Sequence, residues 1–157
     1  MAKGNDKNKP MHQAIGFLAR RDHSVQELSN KLLAKGHEEA VVDGIIKELQ
    51  TLGYLDDSRY AQMILRHHYS RGQGPQKIRY LMNQNGVSSD IISATFLAFD
   101  GDWVQLASDV RQKRFGESFQ TRGKSERYKE KSKQMRFLIA RGFETEQIQY
   151  ACESLDT

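Results

Sequence analysis

The sequence predicts an all-α protein built from three tandem three-helix repeats. Helical periodicity and helix punctuation run through the chain, and no sustained two-residue alternation or Asn-Gly hairpin signal interrupts them. Gly36, Gly86 and Gly142 are equivalent points, separated by 50 and 56 residues. Each follows an apolar pair (Leu32/Leu33, Leu81/Met82, Phe137/Leu138) and stands six positions before another apolar residue (Val42, Ile92, Ile148). Apolar residues make up 38% and charged residues 28% of the chain, proportions that suit a surface-rich shape better than a sphere. Small repeats stacked on one another supply the burial that each lacks alone, which predicts an elongated, curved rod with a long concave face.

The predicted divisions are a disordered tail over 1–10, then repeats over 11–53, 54–99 and 100–157. In the first repeat, Ala14, Ile15 and Leu18 mark an amphipathic helix. Ser24 with Glu27 forms a capping box for a second helix, lined by Leu28, Leu32 and Leu33 and ended by Gly36. Val41, Val42, Ile45, Ile46, Leu49 and Leu52 give a third, closed by Gly53. Gly16 interrupts the first helix at a cost of about 1 kcal/mol relative to alanine, making this repeat the loosest.

In the second repeat, Asp57 or Ser58 caps a helix bearing Tyr60, Ala61, Ile64, Leu65 and His68. Gly74-Pro75 opens the next, since proline is tolerated where the N–H has no partner, and Ile78, Leu81 and Met82 line it. Ser88 or Ser89 caps a helix with Ile91, Ile92, Phe96 and Phe99. The third repeat begins at Asp100 or Asp102, with Trp103, Leu106, Ala107 and Val110 at helical spacing and a stop at Phe115-Gly116. After a polar loop, a helix from about Ser125 carries Tyr128, Met135, Leu138 and Ile139. Thr145 caps a last helix with Ile148 and Leu155.

No apolar run approaches the ~18 residues of a membrane span, and the polar amino terminus has no secretory character. The single cysteine, Cys152, excludes an internal disulfide framework and reads as a small core side chain. A soluble cytoplasmic protein in a reducing compartment is expected.

Catalytic and metal chemistry find no support in the motifs. Adjacent His67 and His68 face different sides of a helix, and Asp56-Asp57 stands where helix capping explains it. Gly72-Gln73-Gly74 lacks the strand and the Lys-Ser/Thr of a phosphate loop. The sequence therefore predicts no catalytic site, no metal, no cofactor and no small-molecule substrate.

Charge is the distinctive feature. The chain's net charge is +4, yet residues 111–136 alone hold ten Lys/Arg against three acids. There Lys129, Lys133 and Arg136 form an i, i+4, i+7 stripe, with Arg127 and Lys131 on the opposite flank. Such a patch attracts phosphates or acidic protein surface, or is merely a solvated helix face. Arg59 and Arg66 share a face in the middle repeat, and Arg71 and Arg79 flank the Gly72–Pro75 turn.

These residues resemble a known family. Arg21-Asp22-His23-Ser24 with Glu27-Leu28 is similar to the opening of RecX, the bacterial regulator of the RecA recombinase. The run from Gly53 to Tyr60 (GYLDDSRY) resembles that family's most recognisable signature. Gly74-Pro75, Ile78-Arg79, Leu81 and Gly86-Val87 continue it. So do Asp102-Trp103, Arg114-Phe115-Gly116-Glu117, Arg136-Phe137-Leu138 and Arg141-Gly142-Phe143. The resemblance spans residues 12–155.

It implies tandem three-helix repeats that bind in the groove of the RecA–DNA filament. There such a protein inhibits ATP hydrolysis, strand exchange and co-protease activity, without catalysis of its own. Exposed cations are the expected contacts: Arg59, Arg66, Arg71, Lys77 and Arg79, then Lys113, Arg114, Arg127, Lys129, Lys131, Lys133 and Arg136. A stand-alone, sequence-independent DNA-binding repeat protein is the alternative. No helix concentrates Arg, Asn and Gln at its amino-terminal end, where base edges are read.

Overall fold

The computed structural model describes residues 9–117 and 123–153. Among the described residues stand nine helices and no strand: α1 (Lys9–Arg20), α2 (Val25–Ala34), α3 (Glu39–Thr51), α4 (Asp57–Ser70), α5 (Pro75–Gln84), α6 (Ser89–Ala98), α7 (Trp103–Phe115), α8 (Lys124–Ala140) and α9 (Thr145–Glu153). None is long and apolar enough to cross a membrane. The tail expected before Lys9, most of the loop after Gly116 and Leu155 lie outside the described residues.

The fold class is the one read from the glycines. Gly36, Gly86 and Gly142 follow α2, α5 and α8, the second helix of each triplet, with φ of +92, +77 and +94°. At the last two, the amides of Val87 and Phe143 reach back to the carbonyls of Met82 and Leu138 at 3.1 and 3.2 Å. Both side chains are buried, so each turn closes the helix and seeds the core at once.

One boundary moves. Pro10, expected in the tail, is buried in the first turn of α1, where its missing N–H costs nothing and its fixed φ suits a helix.

The helices gather into two compact units: residues up to Ile64 with Met82–Ala98, and Leu65–Leu81 with the residues from Phe99 onward. In the first unit, Ala14, Leu28, Leu32, Val42, Ile45, Ile46, Leu49 and Leu55 form the core. Each large side chain there contributes roughly 1.5–3 kcal/mol relative to exposure. Ile15, Leu33, Val41 and Leu52, expected in these stripes, are exposed instead. Each is a sequence neighbour of a more buried residue or lies at a helix end, and one residue turns a helix by about 100°.

The capping box of α2 forms by half. Ser24 Oγ accepts the Glu27 amide at 3.0 Å, while the Glu27 carboxylate turns to the Arg21 guanidinium at 2.8 and 2.9 Å. The Val25 amide donates to Asp57 Oδ1 at 2.8 Å, and Ser24 Oγ donates to the Asn85 carbonyl at 2.7 Å. Asp56, rather than Asp57 or Ser58, caps α4 by accepting the amides of Ser58 and Arg59.

In the second unit, Ala107, Leu138, Phe143, Ile148, Ala151 and Cys152 form the core. Asp102 caps α7 through the Gln105 amide at 3.0 Å. Tyr69, Phe99 and Trp103 cluster with ring centroids 5.0 to 5.4 Å apart. Glu144, not Thr145, precedes the first turn of α9, and its amide donates to Gln147 Oε1 at 2.9 Å. Tyr128 and Ile139, expected to line the apolar side of α8, are exposed.

Candidate functional site

The site begins with a turn docking on a turn. After α4, Gly72 takes φ +77°, and the amides of Arg71 and Gln73 return to the His68 carbonyl at 3.1 and 3.0 Å. The chain then meets the turn after α8. The Gly74 amide donates to the Arg141 carbonyl at 2.7 Å, and the Gln76 amide donates to the Gly142 carbonyl at 2.9 Å. The free N–H groups at the start of α5 are thereby capped by backbone from the third repeat. Only glycine fits: a Cβ on Gly74 would strike the Gly142 carbonyl, and one on Gly142 would sit 2.5 Å from Lys77 Cβ. Arg79 Nη1 adds an ion pair to Glu144 Oε1 at 2.8 Å.

This docking brings together residues far apart in sequence. A groove of about 470 Å³ opens beside Gly72, with α7 along one side and the end of α8 along another. Its cations are Arg71, Lys113, Arg114 and Arg141; its apolar walls are Leu106, Val110 and Phe137; Asp109 supplies a carboxylate. Phe137 stands edge-on to Phe115, with ring centroids 5.2 Å apart. The guanidinium carbons of Arg141 and Arg114 lie over its ring, 5.1 and 5.8 Å from the centroid. Nearby, burial lowers the His68 pKa, and the charges of His67, Arg71 and Lys77 press in the same direction.

The sequence-derived cations divide by environment. Arg71, Lys113 and Arg114 line the groove. Arg66 and Lys77 are exposed, as are Arg127, Lys129, Lys133 and Arg136, whereas Lys131 is half-buried. The groove is lined by Phe137 of α8 and by Arg141, the residue that caps its carboxyl end, whereas Lys129, Lys133 and Arg136 are not among its lining residues.

Arg59 works within its own unit: Nε donates to Asp22 Oδ1, Nη1 to the Gly53 carbonyl and Nη2 to the Tyr54 carbonyl, each at 3.0 Å. Arg79 is committed to Glu144. Arg111, one of the ten cations of the basic stretch, is buried. Its Nη1 donates to the Gly116 carbonyl and to Gln134 Oε1, both at 3.3 Å. Gln134 relays the contact to Glu130 at 3.1 Å.

Sequence reasoning passed over Arg141 and Phe137 as contact residues. Their i, i+4 spacing across the carboxyl end of α8 was the available signal.

Comparison with known proteins places these repeats. Residues 11–49, 56–95 and 100–152 match, in order, the family profiles described as the first, second and third three-helix domains of RecX. The regulatory protein RecX of Xanthomonas axonopodis pv. citri is 37% identical over 142 residues, covering 90% of this chain and 85% of that protein. RecX of Vibrio parahaemolyticus is 40% identical over 139 residues, covering 88% and 86%. The crystal structure of RecX from Lactobacillus salivarius shares the fold at a TM-score of 0.78, with 20% identity and 98% of each chain covered. Three domains in the right order, on described helices that repeat about three equivalent glycine turns, establish that the chain belongs to the RecX family of regulatory proteins.

Proposed function

We propose that this chain is a negative regulator of the RecA recombinase. It acts in the cytoplasm, binds the RecA–DNA filament through its basic surfaces, and inhibits ATP hydrolysis, strand exchange and co-protease activity. Membership of a family of regulatory proteins supports the reading. The observation that carries it is the gathering of four cations around one groove by a turn-on-turn contact. A surface assembled from two repeats at the cost of two obligatory glycines suits binding. Its chemistry is electrostatic, with no step of bond making or breaking.

The test is the steady-state ATPase of RecA on single-stranded DNA, titrated with the purified chain. Turnover falls as the chain is added, and the chain alone hydrolyses nothing. Unchanged RecA turnover at saturating ratios defeats the proposal. The same groove also favours a second reading, a DNA-binding repeat protein that acts without RecA. Association measured with naked DNA and with RecA–DNA filaments at one salt concentration separates the two: a regulator prefers the filament.

A further inference from the structure

Arg71, Lys113, Arg114 and Arg141 face one groove against the carboxylate of Asp109, whose Oδ1 already accepts a hydrogen bond from the Gln105 side chain (Nε2) at 2.9 Å. Two of the guanidinium groups lie over the Phe137 ring, 5.1 and 5.8 Å from its centroid. A guanidinium held on a ring loses little rotamer freedom on binding and keeps its N–H fork for an oxyanion. An acidic side chain of a protein offers one carboxylate, which one arginine satisfies. Three arginines and a lysine around apolar walls suit a ligand that repeats its charge at intervals and presents apolar faces between. A nucleic-acid strand has that pattern, and charged grooves with aromatic and arginine surfaces are its usual receptors.

We propose that the groove holds the sugar–phosphate backbone of a single nucleic-acid strand, with Arg114 and Arg141 on the phosphates. Resting on the regulatory reading, this assigns the groove to the DNA of the filament and leaves RecA to other surfaces. Backbone contacts carry no base information, so binding here is indifferent to sequence.

The experiment is fluorescence anisotropy of a labelled oligothymidylate with the full chain, repeated over a range of salt. Arg114→Gln/Arg141→Gln weakens binding on the order of tenfold or more, and two lost phosphate contacts flatten the log–log salt slope by about 1.4. Lys113→Gln, an exposed single change, weakens binding by about two- to threefold should the double variant fold poorly. Lys47→Gln, on the exposed side of α3, leaves it unchanged.

A double variant of intact helicity that keeps the wild-type affinity and slope overturns the proposal. So does labelled polyglutamate binding as tightly as the oligonucleotide. RecA ATPase inhibition, run beside it, separates the two claims. Variants that inhibit less yet bind the oligonucleotide normally assign the groove to RecA and overturn the ligand while sparing the regulator. A wild type that leaves RecA unaffected, with variants that lose the oligonucleotide, sustains the ligand and removes the regulator.

Discussion

The amide of Gly74 donates to the carbonyl of Arg141 at 2.7 Å, so the start of α5 is fastened to the residue whose side chain covers Phe137. Backbone geometry and groove-facing charge are thus set by the same residue. Gly74→Ala forces a methyl group into the Gly142 carbonyl and is expected to cost about 1–3 kcal/mol. Urea unfolding of the variant checks this; stability equal to wild type would mean that the two turns are not locked together.

Gly16 makes the opposite case. It is exposed within α1, and a Cβ there meets nothing within 4 Å. Gly16→Ala should therefore stabilise the chain by roughly 0.5–1 kcal/mol, by removing backbone freedom from the unfolded state. A rise in Tm is the readout, and a fall would show that α1 needs glycine for a contact.

Asp57 accepts the Val25 amide while partly buried, and burial raises its pKa, with the charge of Asp56 adding to the effect. Removing the acceptor and removing the charge should then differ. Asp57→Ala leaves the first turn of α2 short of a cap and is expected to cost about 1 kcal/mol. Asp57→Asn keeps an oxygen for the amide without a desolvated charge, and should stay within about 0.5 kcal/mol of wild type. Equal losses in the two variants would make the carboxylate charge itself the stabilising element.

The Lys31 ammonium, 2.8 Å from His23 Nε2, can only donate, so that nitrogen accepts and Nδ1–H donates to the Arg21 carbonyl at 3.1 Å. His23 is buried neutral, and burial holds its pKa below the ordinary 6.5. A depressed folded-state pKa means that the unfolded chain takes up the proton first. The associated stability is present above pH 6.5 and is lost as pH falls through the folded-state value. His68 shifts in the same direction for the same leading cause. Thermal unfolding between pH 8 and pH 5 should show the decline, and His23→Gln should make it shallower. A profile unaltered by that substitution would remove His23 as its source.

Much of the fold was legible because it rests on local chemistry. Gly36, Gly86 and Gly142 announce helix ends through positive φ, and Asp102 announces a helix start through one side-chain acceptor. The site was legible in part. The positive charge of Arg71, Lys113 and Arg114 can be counted from the sequence, but their convergence depends on a backbone contact between positions 74 and 141. Arg59 and Arg111 show the converse. As letters they are cations like any others; in the fold one straps a turn and the other is buried beside Gln134. A side chain's partners across the fold are fixed by packing, which no helical period records.

Because Val25 is capped by Asp57 and Ser24 donates to Asn85, the periodicity's boundary at Gly53 is not a seam along which the polypeptide can be divided. A fragment ending there would leave the first turn of α2 with an unmet amide, and the Ser24 hydroxyl without its acceptor. Exchanging the first repeat between relatives would succeed only where the recipient keeps a side-chain acceptor at position 57 for the amide of residue 25. The heritable module is larger than the visible repeat.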